Sequence, residues 1–313
     1  MMKNVIITGG AGFLGSHLSL RLLDTPGVER VVVYDNCGLR TQSYVPCDRR
    51  AEWIHRSIAE SDYLLSAMQG CDTVFHLASN ADISKAATEP GTDFWHGTYL
   101  THCVLEAARK EGVKRLFFTS GSGVYGDYGT TPVTEDMPCH PVSPYGAAKL
   151  GSEALISAYS AMFGIKASIF RFANVVGARQ THGVAYDFIR KLRANPKRLE
   201  ILGNGQQSKS YIHVNDVLDA MMLVATRQEK WCDVWNVATS DSLTVKQIAD
   251  LVIAAMSLVF SGLEVVAGTT PEGWKGDVPV VRFNTEKIRA LGWRNRNTSA
   301  AAMYAAILEM VKE

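Results

Sequence analysis

The stretch "VIITGGAGFLGSHL", Val5 to Leu18, decides the fold. A β-branched run, Val5 to Thr8, leads into Gly9, Gly10, Gly12 and Gly15, and these lead into apolar residues at helical spacing. Glycines between a buried strand and a helix let backbone N–H groups approach an anion, and the helix N-terminus adds partial positive charge. Alone, G-x-G-x-x-G is a weak signal. Here a second β-branched run, 31–34, follows and ends on Asp35 and Asn36, about twenty residues after the last glycine. A carboxylate there accepts hydrogen bonds from an adenosine ribose and repels a 2′-phosphate, so the order strand, loop, helix, strand, acid predicts a dinucleotide site that favours NAD over NADP. Arg40 is the one nearby cation that could rescue a phosphate.

The alternation continues along the chain. Further strand-like runs at 73–77, 115–119 and 167–170 alternate with helical patterns at 13–23, 94–109 and 145–163. Right-handed crossovers between such elements give an α/β fold, a doubly wound parallel sheet of Rossmann type. Ligands of such sheets lie beyond the carboxyl ends of the strands. After Arg171 the pattern loosens, with turn signals at Gly203-Asn204-Gly205, Gly262 and Pro271-Glu272-Gly273 and helices near 214–225 and 244–256. The expected division is an NAD-binding domain over 1–171 and a smaller C-terminal lobe over 172–313, mainly substrate-binding, interleaved with the first and packed with it around one cleft. No repeat or low-complexity linker interrupts the chain.

The totals exclude several classes. A chain of 313 residues with 47% hydrophobic and 20% charged content buries a sizeable core. Net charge +1 gives no broad footprint for nucleic acid or an anionic membrane, so an anionic ligand must be held locally. The N-terminus lacks a secretory signal and reads as cytoplasmic, and the apolar stretch 248–260 is too short for a membrane span and reads as one buried helix. Six scattered cysteines, with no metal-ligand spacing, read as reduced thiols and no metal site.

"SPYGAAKLGSE" places Tyr145 and Lys149 one turn apart on a helix that begins after Pro144. Tyr145 can take a proton from a substrate hydroxyl if a neighbouring ammonium and a cationic nicotinamide ring lower its pKa. Tyr-x-x-x-Lys is common on exposed helices, and it acquires weight here from the glycine fingerprint upstream.

With these motifs together, the chain resembles an extended short-chain dehydrogenase/reductase of the nucleotide-sugar epimerase and dehydratase group, most closely the compact UDP-glucose (UDP-galactose) 4-epimerases. The likeness runs through "TGGAGFLGSH", "VFHLAS", "VYG", "SPYGAAK", "RFANVVGARQTHGVAYDFIRKL", "LGNGQQSKSYIHVND" and "GWKGDV". It implies NAD-dependent epimerisation at C4 of a UDP-hexose through a transient 4-keto sugar, with Tyr145 as base and then acid and Lys149 holding the nicotinamide ribose. It also implies that Gly9, Gly12, Phe13, Leu14 and Gly15 take the pyrophosphate and Asp35 and Asn36 the adenosine ribose, while Leu77, Ala78 and Phe172 flank the cofactor. Ser79, Asn174, Val184, Lys209, Tyr211 and Asp277 would contact the sugar nucleotide. Lys209 suits a diphosphate as a point charge, or is a solvated surface lysine; Trp274 either stacks near the base or packs the lobe. A homodimer through the helices at 94–109 and 145–163 is the implied assembly.

Three positions depart from that pattern. Ser57-Ile58 stands where an acid usually touches adenine, Gly97 where many members have an asparagine, and Gly121, aligned on Val124-Tyr125-Gly126, where a Ser or Thr shares the O4 proton. Ser120, Ser122 or a water can supply that hydrogen bond, and Ser122 is the candidate catalytic hydroxyl; each serine also reads as an ordinary strand-end residue. Ser122-Gly123 in place of a carboxylate pair argues against a 4,6-dehydratase and a decarboxylase. The alternatives are an epimerase or oxidoreductase acting on another NDP-sugar, whose substituents fill room left at Gly97 and Gly121, or a non-catalytic NAD and NDP-sugar binder.

Overall fold

The computed structural model describes residues 2–37, 44–80, 88–227, 229–259 and 262–312; Arg40 and Phe260 lie outside them. The chain forms two compact units. Unit 1 is Met1–Val124, Pro144–Arg171 and Leu218–Trp235; unit 2 is Tyr125–Ser143, Phe172–Val217 and Asn236–Glu313.

Unit 1 is built on a seven-stranded parallel sheet. Its strands are β1 (Asn4–Thr8), β2 (Arg30–Asp35), β3 (Ala51–His55), β4 (Thr73–His76), β5 (Arg115–Gly121), β6 (Lys166–Phe172) and β11 (Cys232–Val237), in the order β11-β6-β5-β4-β1-β2-β3. The order reverses beside β1, where the register runs Val5↔Val31 on one side and Val5↔Thr73 on the other. That reversal is where a doubly wound sheet opens a crevice at its strand ends. The inner strands are buried along their length because helices cover both faces. Phe75 stacks on Phe117 at 4.6 Å between centroids, and Phe117 in turn on Phe170 at 6.4 Å, an aromatic ladder across β4, β5 and β6. On the opposite face Leu116 and Phe118 pack with Val104, Leu105, Ala108 and Ile156 from the covering helices.

Those helices are α1 (Phe13–Leu23), α2 (Ser61–Met68), α3 (Leu100–Lys110) and α4 (Pro144–Phe163). The expected helix at 94–109 is divided: a helical turn, Gly91–Asp93, leads into one π-helical turn, Phe94–Tyr99, before α3. The sequence reading also left out β3 and β11. β3, Ala-Glu-Trp-Ile-His, has no fully buried residue and so lacks a core strand's signal.

In unit 2, β7 (Asn174–Val176) pairs with β10 (Tyr211–His213), β8 (Arg198–Ile201) with β13 (Glu264–Ala267), and β9 (Ser208–Lys209) with β12 (Leu243–Thr244). A second core joins Phe188, Leu199, Ile248, Met303 and Ile307. Its helices are α5 (Val184–Ala194), α7 (Val245–Ala255), α8 (Glu286–Ala290) and α9 (Ser299–Lys312). The intervening α6 (Val214–Arg227) passes from unit 2 into unit 1. Thr244 caps α7 in a capping box with Gln247. The single buried helix expected over 248–260 is corrected: α7 stops at Ala255, and Ser257 turns the chain at a φ of 58°.

Candidate active site

At the end of β1 the backbone amides of Gly9 and Gly10 both donate to the Tyr34 carbonyl, at 2.9 and 3.3 Å. Gly9 has a φ of 73°, and a Cβ there would stand 2.6 Å from the Ala78 nitrogen; one at Gly15 would collide with the Gly9 carbonyl. These two glycines let the loop fold against the segment after β4 and against α1. Helix α1 begins with Gly12 at its N-cap and no side-chain cap, which leaves its first-turn amides for an anion. Asp35, at the end of β2, accepts from the Ala11 amide at 3.0 Å and the Cys37 amide at 2.8 Å, so it braces the loop. Ser57 makes a local turn with Glu60, and its carbonyl accepts from the Tyr34 hydroxyl at 2.9 Å.

Tyr145 lies in the first turn of α4, directly after Pro144, and Lys149 follows one turn on. Burial pushes the Tyr145 phenol above its ordinary value; a hydrogen bond with Ser79 opposes this, and the Asp93 carboxylate adds to it. Ser79 is thus brought to Tyr145 by the segment that follows β4. Lys149 is buried, and its ammonium donates to the Thr119 carbonyl at 2.7 Å and lies 4.8 Å from the Phe118 ring centroid and 5.8 Å from that of Tyr145. Burial lowers it to about 8, with the Glu153 carboxylate opposing the shift. Glu153 forms a buried pair with Arg171, with contacts at 3.1 and 2.7 Å. Beneath them His76 bridges β1 and α3, its Nδ1 2.7 Å from Thr8 Oγ1 and its Nε2 3.1 Å from Thr101 Oγ1. Burial holds His76 down at about 3, with Lys149 adding to the shift, so it is neutral.

The octet "TSGSGVYG", residues 119–126, runs past the start of α4. β5 ends at Gly121, and Ser122–Val124 forms a 3₁₀ turn. A Cβ at Gly123 would lie 3.6 Å from Gly146 Cα and 3.9 Å from Tyr145 Cδ1, so this turn packs on the first turn of α4. Ser122 is half-buried there, whereas Ser120 Oγ is shut in without a hydrogen-bond partner. The room expected at Gly97 is small: a Cβ would stand 3.3 Å from that of Ala148 on α4.

Unit 2 collects a second group. β7 and β10 place Asn174 beside Tyr211. Burial pushes the Tyr211 phenol up, a hydrogen bond with Asn174 opposes this, and Asp277 adds to it. The Lys209 ammonium is bound by Asp277 at 2.5 Å, and the Gly273 amide donates to the other oxygen of Asp277 at 3.2 Å. Trp274 is half-buried on the same turn, and its carbonyl accepts from the Asp277 amide. Val184 begins α5, after Gly183 at a φ of 103°, and Phe172 is buried at the end of β6. Sequence reasoning missed Gln207, whose buried Oε1 has no partner, and Arg282, which donates to the Ser208 carbonyl at 2.9 Å and its hydroxyl at 3.0 Å. It missed Asp93 too. The spacing of Glu153 one helical turn after Lys149 was the one signal that could have flagged the buried pair.

An uncapped helix start against a glycine loop, braced by a post-strand carboxylate, fits a dinucleotide pyrophosphate and ribose. Among the described residues no cluster of His, Cys, Asp and Glu could hold a metal ion, and no helix is long and apolar enough to cross a membrane. Fold and site therefore define a dinucleotide-binding α/β enzyme with a tyrosine–lysine pair at the strand ends. The chain belongs to the NAD dependent epimerase/dehydratase family, whose model matches residues 5–238. It is similar to a solved UDP-galactose 4-epimerase, 35% identical with a TM-score of 0.88 over 99% of each chain. The UDP-glucose 4-epimerase of Thermus thermophilus, solved in complex with NAD, is 28% identical with a TM-score of 0.87 over 98% of each chain. The UDP-glucose 4-epimerase of Corynebacterium glutamicum is 28% identical over 94% of this chain and 91% of its own.

Proposed function

We propose that the protein is a 4-epimerase of a UDP-hexose that works through a transient 4-keto sugar with bound NAD. The observation that carries this reading is the buried Lys149 fixed to the Thr119 carbonyl one helical turn from Tyr145, itself hydrogen-bonded to Ser79. NAD, when bound, supplies the acceptor for the C4 hydride and its return to the opposite face. Gly9, Gly12, Phe13, Leu14 and Gly15 hold its pyrophosphate, Asp35 and Asn36 its adenosine ribose, and Leu77, Ala78 and Phe172 its flanks. Tyr145 in its phenolate form takes the O4 proton as the C4–H bond breaks and the C4=O bond forms, and gives it back as the bond to hydrogen is remade. Lys149 holds the nicotinamide ribose, and its ammonium favours the phenolate.

Ser122 donates the hydrogen bond to O4 that Gly121 cannot make. Ser120 is the poorer candidate because its hydroxyl is enclosed. In unit 2, Asn174 contacts the sugar diphosphate, Val184, Lys209, Tyr211 and Asp277 grip the nucleotide, with the Lys209 ammonium toward the diphosphate, and Trp274 stacks near the base. The lack of a carboxylate pair at Ser122 and Gly123 supports epimerisation over dehydration.

The purified protein is expected to carry NAD and to interconvert UDP-glucose and UDP-galactose without added oxidant. Protein that binds NAD yet neither binds nor turns over any NDP-sugar in a broad panel ends this reading. The assembly that accompanies it is a homodimer through α3 and α4, where Met162 and Phe163 are exposed at 74% and 43%. Sedimentation velocity is expected to give twice the chain mass, and a monomer at micromolar concentration counts against it.

A further inference from the structure

The buried charged side chains of unit 1, among the described residues, are Asp35, Asp93, Lys149, Glu153 and Arg171. Four of them are satisfied within the unit. Asp35 accepts two backbone amides, Glu153 and Arg171 hold each other, and Lys149 donates to Thr119. Asp93 differs. It is 2% exposed; its Oδ1 accepts from Asn80 Nδ2 at 2.9 Å, and its Oδ2 has no partner. A buried carboxylate oxygen without a donor costs stability, and an uncharged side chain would remove that cost.

Asp93 ends the Gly91–Asp93 turn, which packs on α4, and its charge reaches the Tyr145 phenol and pushes it upward. The other charges near Tyr145 are largely cancelled. Glu153 and Arg171 neutralise each other, the Lys149 ammonium lies 5.8 Å from the Tyr145 ring centroid, and Asp93 is the carboxylate whose charge acts on the phenol. If Tyr145 addresses O4, the C6 group of a hexose, carried on the neighbouring ring carbon, lies within a few ångströms of the phenol oxygen. A C6 hydroxyl is neutral there. A C6 carboxylate would sit in the field of a second, buried carboxylate, where like charges repel strongly in a low dielectric.

We propose that Asp93 is a specificity-determining residue that restricts the site to neutral sugars and rejects hexuronic acids. This inference rests on the assignment of Tyr145 to O4, and it names the substrate class that the epimerase reading leaves open.

The test is calorimetric titration of the NAD-loaded full chain, wild type and Asp93→Asn, with UDP, UDP-glucose and UDP-glucuronate. Wild type is expected to bind UDP-glucose at least 10-fold more tightly than UDP-glucuronate. Asp93→Asn is expected to narrow that ratio on the order of 10-fold or more, through a gain for UDP-glucuronate and with UDP affinity unchanged. Wild type that prefers UDP-glucuronate overturns the proposal without any variant, and so does a folded Asp93→Asn whose ratio stays at the wild-type value. Selective binding of UDP-glucose without turnover would overturn the epimerase reading and leave the role of Asp93 standing; binding of neither sugar nucleotide overturns both.

Discussion

The two groups of candidate residues treat charge in opposite ways. In unit 1 Tyr145 and Lys149 are buried and held away from their ordinary values, with Lys149 lowered and Tyr145 raised. In unit 2 the cation suited to a diphosphate, Lys209, already has its own anion in Asp277. The difference tells what a ligand must do at each place. In unit 1 it meets groups whose protonation is unsettled by burial, the condition for moving a proton. In unit 2 a diphosphate bound as proposed would have to share or displace a satisfied ion pair.

The largest test of that contrast is Tyr145→Phe. Turnover is expected to fall by about 10³-fold or more, with NAD content and UDP affinity retained; retained activity would refute the role assigned to the phenol. Next comes the serine pair near it. Ser122→Ala is expected to lower kcat by about 10²-fold, as for loss of one donor to an oxygen on which charge develops. Ser120→Ala, which deletes an unpaired buried hydroxyl, should leave kcat near wild type and stability unchanged or higher. Reversed effects on kcat would move the O4 contact to Ser120.

For unit 2, Lys209→Ala is expected to weaken UDP binding by about 10-fold or more, and Asp277→Asn by less, because that change also frees the ammonium. The opposite order in a titration would make Asp277 the main contact. The smallest effect is on stability. Folded His76 titrates at about 3 against an ordinary 6.5, so the unfolded chain binds the extra proton between those values. The stability that His76 contributes is therefore complete above about pH 6.5 and is lost as pH falls toward 3. Thermal melts across that range should show a shallower acid decline in a His76→Asn variant that still folds.

Unit 1 was largely legible in the sequence because its logic is local. The glycine loop, Asp35 and the Tyr145–Lys149 spacing each sit within one strand-turn-helix step. Asp93, Ser120 and His76 were not, since what matters about them is a hydrogen bond made or missing after distant strands have come together. In unit 2 the strands run from two to four residues, except where β11 ends, and such runs carry almost no period to read. There the family motifs, rather than any pattern of hydrophobicity, pointed to Asn174, Lys209 and Asp277. The Lys209–Asp277 pair needed the fold, because the two residues lie 68 positions apart.

That separation has a counterpart in the sheet of unit 1. β11 lies beside β6 but comes from Cys232–Val237, after the whole of β7 to β10 has been made. During synthesis the β6 edge, with Ala167 to Phe172 all buried in the finished sheet, has no partner until that later segment has left the ribosome. An apolar strand edge left open for so long invites pairing with other chains. The growing chain therefore has its glycine loop, its tyrosine and its lysine before the sheet that carries them has its last strand.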